Sequence, residues 1–265
     1  MNDRDPLALL NVAHEICDET DGIALRYFAA EVTATSKADA TLVTVADTEI
    51  EERIRGRLAT AYPDHGLVGE EFGVERQAGE ARWIIDPIDG THNFVRGIPV
   101  FATLLALERA GSLVLGIVSA PALGHRWFAA AGHGAHVRSG GRERPIRVST
   151  IDRLAEAQLC FSTVRRLDEI GLLRAWLGVI RGSWRDRGFG DFWGHVLVAQ
   201  GSAEAMLEHG VHPWDLAAPS AIVTEAGGRM TDLEGKPSWS GPGVLTTNGA
   251  LHARLVDMLR AAIGA

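Results

Sequence analysis

The chain has 265 residues, 46% of them hydrophobic and 23% charged, a globular composition with ample material for a core. Its formal net charge of −8 disfavours broad binding to nucleic acid or to an anionic membrane surface, and an anionic ligand would need a local positive centre such as metal ions. The two cysteines, Cys17 and Cys160, belong to no CxxC pair, so neither a disulfide framework nor a structural zinc site is expected.

The N-terminal stretch is acidic and lacks a long apolar run, unlike a signal peptide. Residues 6–30 carry apolar side chains at helical spacing: Leu9, Val12, Ala13, Ile16, Ile23, Leu25 and Phe28. A second helix is predicted over 47–61, with Asp47 as its cap and Ile50, Ile54 and Leu58 on one face. Residues 63–66 form a turn. The next third reads as sheet: a strand at 82–86, a hairpin of 101–108 with 113–119, and a strand at 125–131. The apolar run 113–123 is too short to span a membrane and is interrupted by Pro121. A cytoplasmic protein is the expectation.

Residues 139–144 (SGGRER) read as a flexible break between halves. Beyond it, strands at 159–162, 203–207 and 244–247 alternate with helices at 170–179, 192–199, 215–226 and 250–263. Asp215 is the predicted N-cap of the third of these helices, and Gly227-Gly228 its stop. Pro219 is placed near its first turn, where a missing N–H is tolerated. The pattern predicts a mixed α/β chain with two subdomains, 1–145 and 146–265, sharing a cleft.

The sharpest segment runs from Trp83 to Thr91. An apolar strand leads directly into Asp86-Pro87-Ile88-Asp89-Gly90-Thr91. Charges at the end of a buried strand are expensive unless compensated. Pro87 stiffens the turn, Gly90 permits close approach to a ligand, and Thr91 opens a short helix-like stretch. Glu70-Glu71 follows the apolar pair Leu67-Val68, and Asp215 follows Pro213-Trp214. Taken singly, an Asp-Pro is usually a turn, a Glu-Glu a solvated face and Asp215 a plain helix cap. Brought together, these carboxylates would repel one another without cations. Magnesium is the natural guest, because it takes hard oxygen ligands and shares them with phosphate and water.

These segments resemble the inositol monophosphatase superfamily. The resemblance rests on residues 86–94 (DPIDGTHNF), Gly69-Glu70-Glu71 and residues 213–218 (PWDLAA). It also includes residues 42–47 (LVTVAD) preceded by Lys37, and residues 224–228 (TEAGG). It covers roughly residues 5–262 in the correct order. It implies a layered α/β/α/β/α sandwich, commonly a homodimer, and hydrolysis of a small phosphorylated metabolite by metal-activated water. Glu70, Asp86 and the carbonyl of Ile88 would hold one magnesium ion, and Asp86, Asp89 and Asp215 a second. Glu70, with Asp47, would support a third through water. Thr91 and Asp47 would orient the attacking water, and Gly90 and Thr91 would donate to the phosphate. Phosphoryl transfer of this kind needs positioning and charge neutralisation, and no serine, cysteine or histidine nucleophile.

The substrate is read from residues 187–195 (RGFGDFWGH), which resemble the histidinol-phosphatase branch of the superfamily. The inositol branch carries small neutral residues at the matching place. Asp191 would pair with the amine of histidinol phosphate, with Arg187 also at the substrate and neighbouring aromatics bordering the imidazole. The plainer alternative is that Arg187 and Asp191 pair with each other at a helix start. Glu208 matches the family position that contacts the alcohol portion, and suits inositol hydroxyls or an ammonium equally. His209 and His212 have metal-ligand spacing, but Gly210 interrupts the helix that would align them. L-histidinol phosphate is therefore the expected substrate. An inositol-phosphate or broad sugar or nucleotide phosphatase comes second, and a regulatory or protein-binding member is the alternative of a different class. Residues 181–187 (RGSWRDR) are the one short basic, aromatic stretch, too little for a nucleic-acid surface.

Overall fold

The computed structural model describes residues 5–30, 35–36, 42–75 and 80–263, so Lys37 lies outside the described residues. Helix α1 (Pro6–Phe28) begins at Asp5, whose side chain accepts the Leu7 N–H. Strands β1 (Thr35–Ser36) and β2 (Leu42–Val43) pair antiparallel and lead into α2 (Val45–Ala61). Then follow β3 (Gly66–Gly69), β4 (Gly73–Glu75), β5 (Ala81–Asp89), α3 (Thr91–Val95), β6 (Ala102–Arg109) and β7 (Ser112–Ala120). Strands β8 (His125–Ala130), β9 (Ala135–Ser139) and β10 (Arg142–Ile146) complete an eight-stranded sheet ordered β10-β9-β8-β7-β6-β5-β3-β4.

The second sheet starts with β11 (Gln158–Phe161), followed by α4 (Val164–Glu169), α5 (Leu173–Arg181) and β12 (Arg185–Arg187). Helix α6 (Asp191–Ala199), β13 (Ala205–His209), α7 (Pro213–Glu225), β14 (Arg229–Thr231), β15 (Gly243–Thr247) and α8 (His252–Ile263) follow. The order of this five-stranded sheet is β12-β11-β13-β15-β14.

Three apolar clusters stack these elements into five layers. Leu9, Ile16, Ile50 and Ile54 from α1 and α2 pack on Trp83, Ile85 and Leu105 of the large sheet. On its other face, Phe192 and Val196 of α6 and Ala217, Ala218 and Ile222 of α7 meet Ile84, Leu104 and Val118. The small sheet is covered outside by α5 and α8 through Trp176, Val179, Leu255 and Leu259. The result is an α/β/α/β/α sandwich, with α6 and α7 as its middle layer. Each fully buried Leu, Ile or Val contributes roughly 1.5–3 kcal/mol, and these layers hold the site's strand and helix ends in place.

Several boundaries differ from the sequence expectation. Residues 139–144 are not a flexible break but the tip of the β9–β10 hairpin, with Gly140-Gly141 in the turn. The predicted helix at 170–179 is α5, which starts later, at Leu173, and runs to Arg181, while the preceding α4 ends at Glu169 and Gly171, with φ 75°, lies between them. Helix α2 starts earlier than Asp47, because Thr44 caps it. Helix α7 likewise begins after His212, which leaves Asp215 in its third position. Pro219 therefore sits beyond the first turn, and it offers no N–H to the Asp215 carbonyl four residues earlier. The strand predicted over 82–86 extends through Pro87 to Asp89.

Candidate active site

That extension builds the site. In a regular strand, side chains three residues apart point to opposite faces. Strand β5 is not regular there, because its register against β6 shifts between Asp86 and Asp89. A bulge of this kind inserts an extra half-period and re-aims a side chain. The buried Thr103 hydroxyl pins it by donating to the Pro87 carbonyl at 2.8 Å. Asp86 and Asp89 consequently reach the same place, and Asp215 joins them from α7. Oxygens of all three lie within 4.8 Å of one another.

Glu70 arrives along the parallel neighbour. Gly69 of β3 is paired with Ile85 of β5, and the Glu70 N–H donates to the Ile85 carbonyl at 3.2 Å. The following turn is held from below by Glu51, fully buried on α2. Glu51 accepts the N–H groups of Glu71 at 2.8 Å and Phe72 at 3.3 Å, and Arg55 Nε donates to it at 2.8 Å. A Cβ on Gly69 would lie 2.0 Å from Glu51 Oε1. Gly69→Ala is expected to destabilise the protein by roughly 1–3 kcal/mol through this clash. It should also raise the metal concentration needed for half-maximal activity, because Glu70 is displaced. Thermal unfolding together with a metal titration checks both, and an unchanged metal requirement would separate the turn from the site.

Two of the acidic residues share a local device. Asp47 and Asp215 are each the third residue of a helix, and each accepts the backbone N–H of its cap residue, Thr44 at 2.8 Å and His212 at 2.7 Å. This is the carboxylate half of a capping box. One oxygen is locked by the helix start and the other is left for a different partner. Asp47 Oδ2 also accepts the Thr44 hydroxyl at 2.6 Å, while Asp47 Oδ1 is buried without a hydrogen-bond partner among the described residues. Asp86 Oδ1 is in the same condition.

The electrostatics follow from this crowding. Burial pushes Asp47 up to about 6 and Asp215 up to about 7, with Glu70 adding to both. Asp86 is raised well above the carboxylate range by burial, then by Glu70, Asp89 and Asp215. Asp89 is raised by burial, then by Asp191 and Asp215. Buried carboxylates that repel one another, two of them with an unpartnered oxygen, are the donor set a hard divalent cation satisfies. The residues present fit such an ion.

A cavity of about 400 Å³ lies elsewhere, between β7, α7 and the 237–239 segment, and holds none of these carboxylates. The acidic cluster opens instead into a cavity of about 300 Å³. Glu70, Asp86, Ile88, Asp89, Gly90, Thr91, Asp191, Glu208 and Asp215 all line it. The Thr91 hydroxyl donates to the Ile88 carbonyl at 3.0 Å. Gly90 adopts φ 85°, and a Cβ there would lie 2.9 Å from the Val100 carbonyl. Asp47 is not on the lining and stands behind it.

Arg187 does not line the cavity either. Its guanidinium donates to the Asp186 carbonyl at 2.7 Å, and Asn93, not Arg187, donates to Asp191, at 3.2 Å. Among the described residues, the Lys or Arg on the cavity wall is Arg166 of α4, joined there by Ser162 and Thr163. The sequence reading missed all three. The available signal was their place just after the end of β11, where loops beyond parallel strands gather function. The aromatics beside Asp191 are also not on the wall: Phe192 is buried in the middle layer, and Phe189 packs against Trp193. Trp214 lines the cavity instead, stacked on His212 with ring centres 4.8 Å apart. His209 and His212 border the cavity but are not part of the acidic cluster.

The sequence profile of the inositol monophosphatase family matches residues 5–263. The chain belongs to that family. It is a phosphatase, a phosphoric monoester hydrolase, of a metal-dependent family. It is 42% identical over 261 residues to the histidinol-phosphatase of Streptomyces coelicolor, covering 96% of this chain and 98% of that one. It is 36% identical to the inositol-1-monophosphatase of Mycobacterium leprae, covering 82% and 78%. The solved structure of extragenic suppressor protein suhB from Bartonella henselae superposes with a TM-score of 0.88 at 28% identity, covering 96% and 98%. Among the described residues, no helix of this inositol monophosphatase family member is long and apolar enough to cross a membrane.

Proposed function

We propose that the chain hydrolyses L-histidinol phosphate to L-histidinol and phosphate, with magnesium at the Asp86, Asp89 and Asp215 cluster. The observation that carries this reading is a second acidic pair in the same cavity. Asp191 and Glu208 face the space beside the metal carboxylates. Asp191 holds a left-handed backbone, φ 56°, which costs a non-glycine residue energy unless the surroundings enforce it. Its N–H donates to Glu208 Oε1 at 3.0 Å, and the next N–H, of Phe192, donates to Asp89 Oδ2 at 2.6 Å. Burial, then Glu208, pushes Asp191 up to about 7, and a nearby ammonium would lower it again. The stacked His212 and Trp214 rings offer an imidazole a flat wall. The relative from Streptomyces coelicolor points to the same substrate.

Glu70, Asp86, Asp89, Asp215 and the Ile88 carbonyl would hold two ions, with Asp47 behind Glu70 supporting a third. When bound, the ions neutralise phosphate charge and lower the pKa of the attacking water. The chain's own residues do the rest. The Thr91 hydroxyl donates its hydrogen bond to the Ile88 carbonyl, so its oxygen is left as an acceptor that orients water toward the phosphorus. Gly90 and Thr91 N–H groups meet the phosphate oxygens. Asp191 and Glu208 would hold the alcohol portion of the ester. The two free, buried cysteines suit a reducing cytoplasm. The family resemblance carries the expectation of a homodimer, which light scattering tests.

The test is phosphate release from L-histidinol phosphate, inositol 1-phosphate, fructose 1,6-bisphosphate and 3′-phosphoadenosine 5′-phosphate. L-histidinol phosphate should have the highest kcat/KM. Asp191→Asn should lower it about ten- to hundredfold, because a charge-assisted hydrogen bond to the amine contributes roughly 1.5–3 kcal/mol. Inositol 1-phosphate should lose much less. Equal losses would make Asp191 structural. A wild-type preference for inositol 1-phosphate would promote the second reading, an inositol-phosphate phosphatase. That reading draws on Glu208, which serves neutral hydroxyls as well as an ammonium, and on the relative from Mycobacterium leprae.

A further inference from the structure

Behind Asp191 and Glu208 runs a chain of buried polar groups that the hydrolytic step does not use. His195 lies on α6, fully buried, among the apolar residues Phe192, Val196, Val198 and Ala199. Its Nε2 is 2.8 Å from Glu208 Oε2, and its Nδ1 is 2.8 Å from the hydroxyl of Thr246, itself fully buried on β15. A buried imidazole is costly unless both nitrogens are bonded, and an apolar side chain would serve the packing of α6 without that demand. Here both nitrogens are bonded, and the outcome is a fixed Glu208. His195 holds Oε2 and the Asp191 N–H holds Oε1. Glu208 still lines the cavity.

We propose that His195 is a positioning residue for substrate selection. It fixes Glu208 toward the alcohol portion of the phosphate ester, and through the Glu208–Asp191 bond it keeps Asp191 on the cavity wall. The proposal rests on the reading of Glu208 as the residue that meets the alcohol, but not on which alcohol is bound. Without the imidazole, Glu208 gains a free rotamer, and Asp191 loses the acceptor that favours its left-handed backbone. The acidic cluster at the metal end keeps its own anchors, since Asp89 accepts from Phe192 and Asp215 from His212. Binding of the alcohol should therefore suffer while the chemical step does not.

The experiment uses the full-length, magnesium-loaded enzyme with three esters: L-histidinol phosphate, inositol 1-phosphate and p-nitrophenyl phosphate, whose leaving group has no hydroxyl or amine for Glu208. His195→Leu should raise KM about ten- to fiftyfold for whichever polar ester the wild type handles best, with kcat within about threefold. KM for p-nitrophenyl phosphate and the magnesium concentration for half-maximal rate should change by less than about threefold. His195→Gln, which returns a donor, should recover most of the loss. In a Glu208→Gln background, His195→Leu should add less than about twofold, because the two residues then no longer act in series. Should His195→Leu not fold, Thr246→Val removes only the hydroxyl behind Nδ1 and should give the same KM-only pattern, at about three- to fivefold. Equal losses on all three esters, or an unchanged KM in a folded variant, overturns the proposal. A wild-type preference for inositol 1-phosphate overturns the histidinol reading and leaves this test decisive, since it follows the better polar ester.

Discussion

Asp89→Asn is expected to leave a folded protein that turns over its phosphate ester about a thousandfold more slowly. Asparagine has nearly the same shape, and its carbonyl oxygen can still accept the Phe192 N–H that Asp89 Oδ2 accepts at 2.6 Å. The second oxygen becomes an NH2 group, which carries no charge and repels a cation instead of holding one. The loss of one pre-organised electrostatic contact in a dry site is typically 10²–10³ in rate, roughly 2.7–4 kcal/mol. Metal-free stability should move the other way. Asp89 is buried and is pushed up by burial, then by Asp191 and Asp215, so removing its charge relieves repulsion. The metal-free variant should unfold at the same temperature as the wild type, or a few degrees higher, at pH 8. Single-turnover rates paired with thermal unfolding in chelator check both halves. Near-normal turnover by a well-folded variant would take Asp89 out of the site.

The parts legible in the sequence were those set by local pattern. Trp83-Ile84-Ile85 running into two aspartates is a strand end, and its chemistry is visible without neighbours. The apolar spacing of Leu9, Ile16, Ile50 and Ile54 marks α1 and α2, which the first cluster buries. What stayed hidden depends on partners distant in sequence. The bulge that turns Asp86 and Asp89 the same way exists only against β6 and Thr103. The cap of α2 has a local signature: Thr44-x-x-Asp47 is a capping-box spacing, in which the threonine is the cap and the aspartate its partner. Arg166 reaches the cavity because β11 is the parallel neighbour of β13, which carries Glu208, a pairing that spacing along the chain does not reveal. Arg187 sits at the end of the outer strand β12 instead. His195 reads as one polar residue in an apolar helix, and only the fold places Glu208 and Thr246 at its two nitrogens.

Removing the metal should abolish turnover and also reverse how stability depends on pH. In the metal-free protein, Asp47 is raised to about 6 and Asp191 and Asp215 to about 7, and burial also raises Asp86 and Asp89 well above the ordinary carboxylate range. Unfolded aspartate titrates near 3.9. Between about pH 4 and 7 the folded state therefore holds more protons than the unfolded state, so stability falls as pH rises through that window. Bound cations hold the same carboxylates ionised and lower their pKa values, which inverts the sign: stability is then kept at high pH and lost as pH falls. At a magnesium concentration one hundred times its Kd, binding adds about 2.7 kcal/mol, or roughly 5–10 °C in unfolding temperature for a chain of this size. That increment should appear at pH 8 and shrink by more than half at pH 5.5, because each proton displaced by the metal weakens apparent affinity up to about tenfold per pH unit. Differential scanning calorimetry with and without magnesium at the two pH values measures it. A magnesium increment equal at both would mean that the buried carboxylates are not where the ion binds. Full turnover in excess chelator, after elemental analysis has shown the metal gone, would defeat metal-dependent hydrolysis at this cluster.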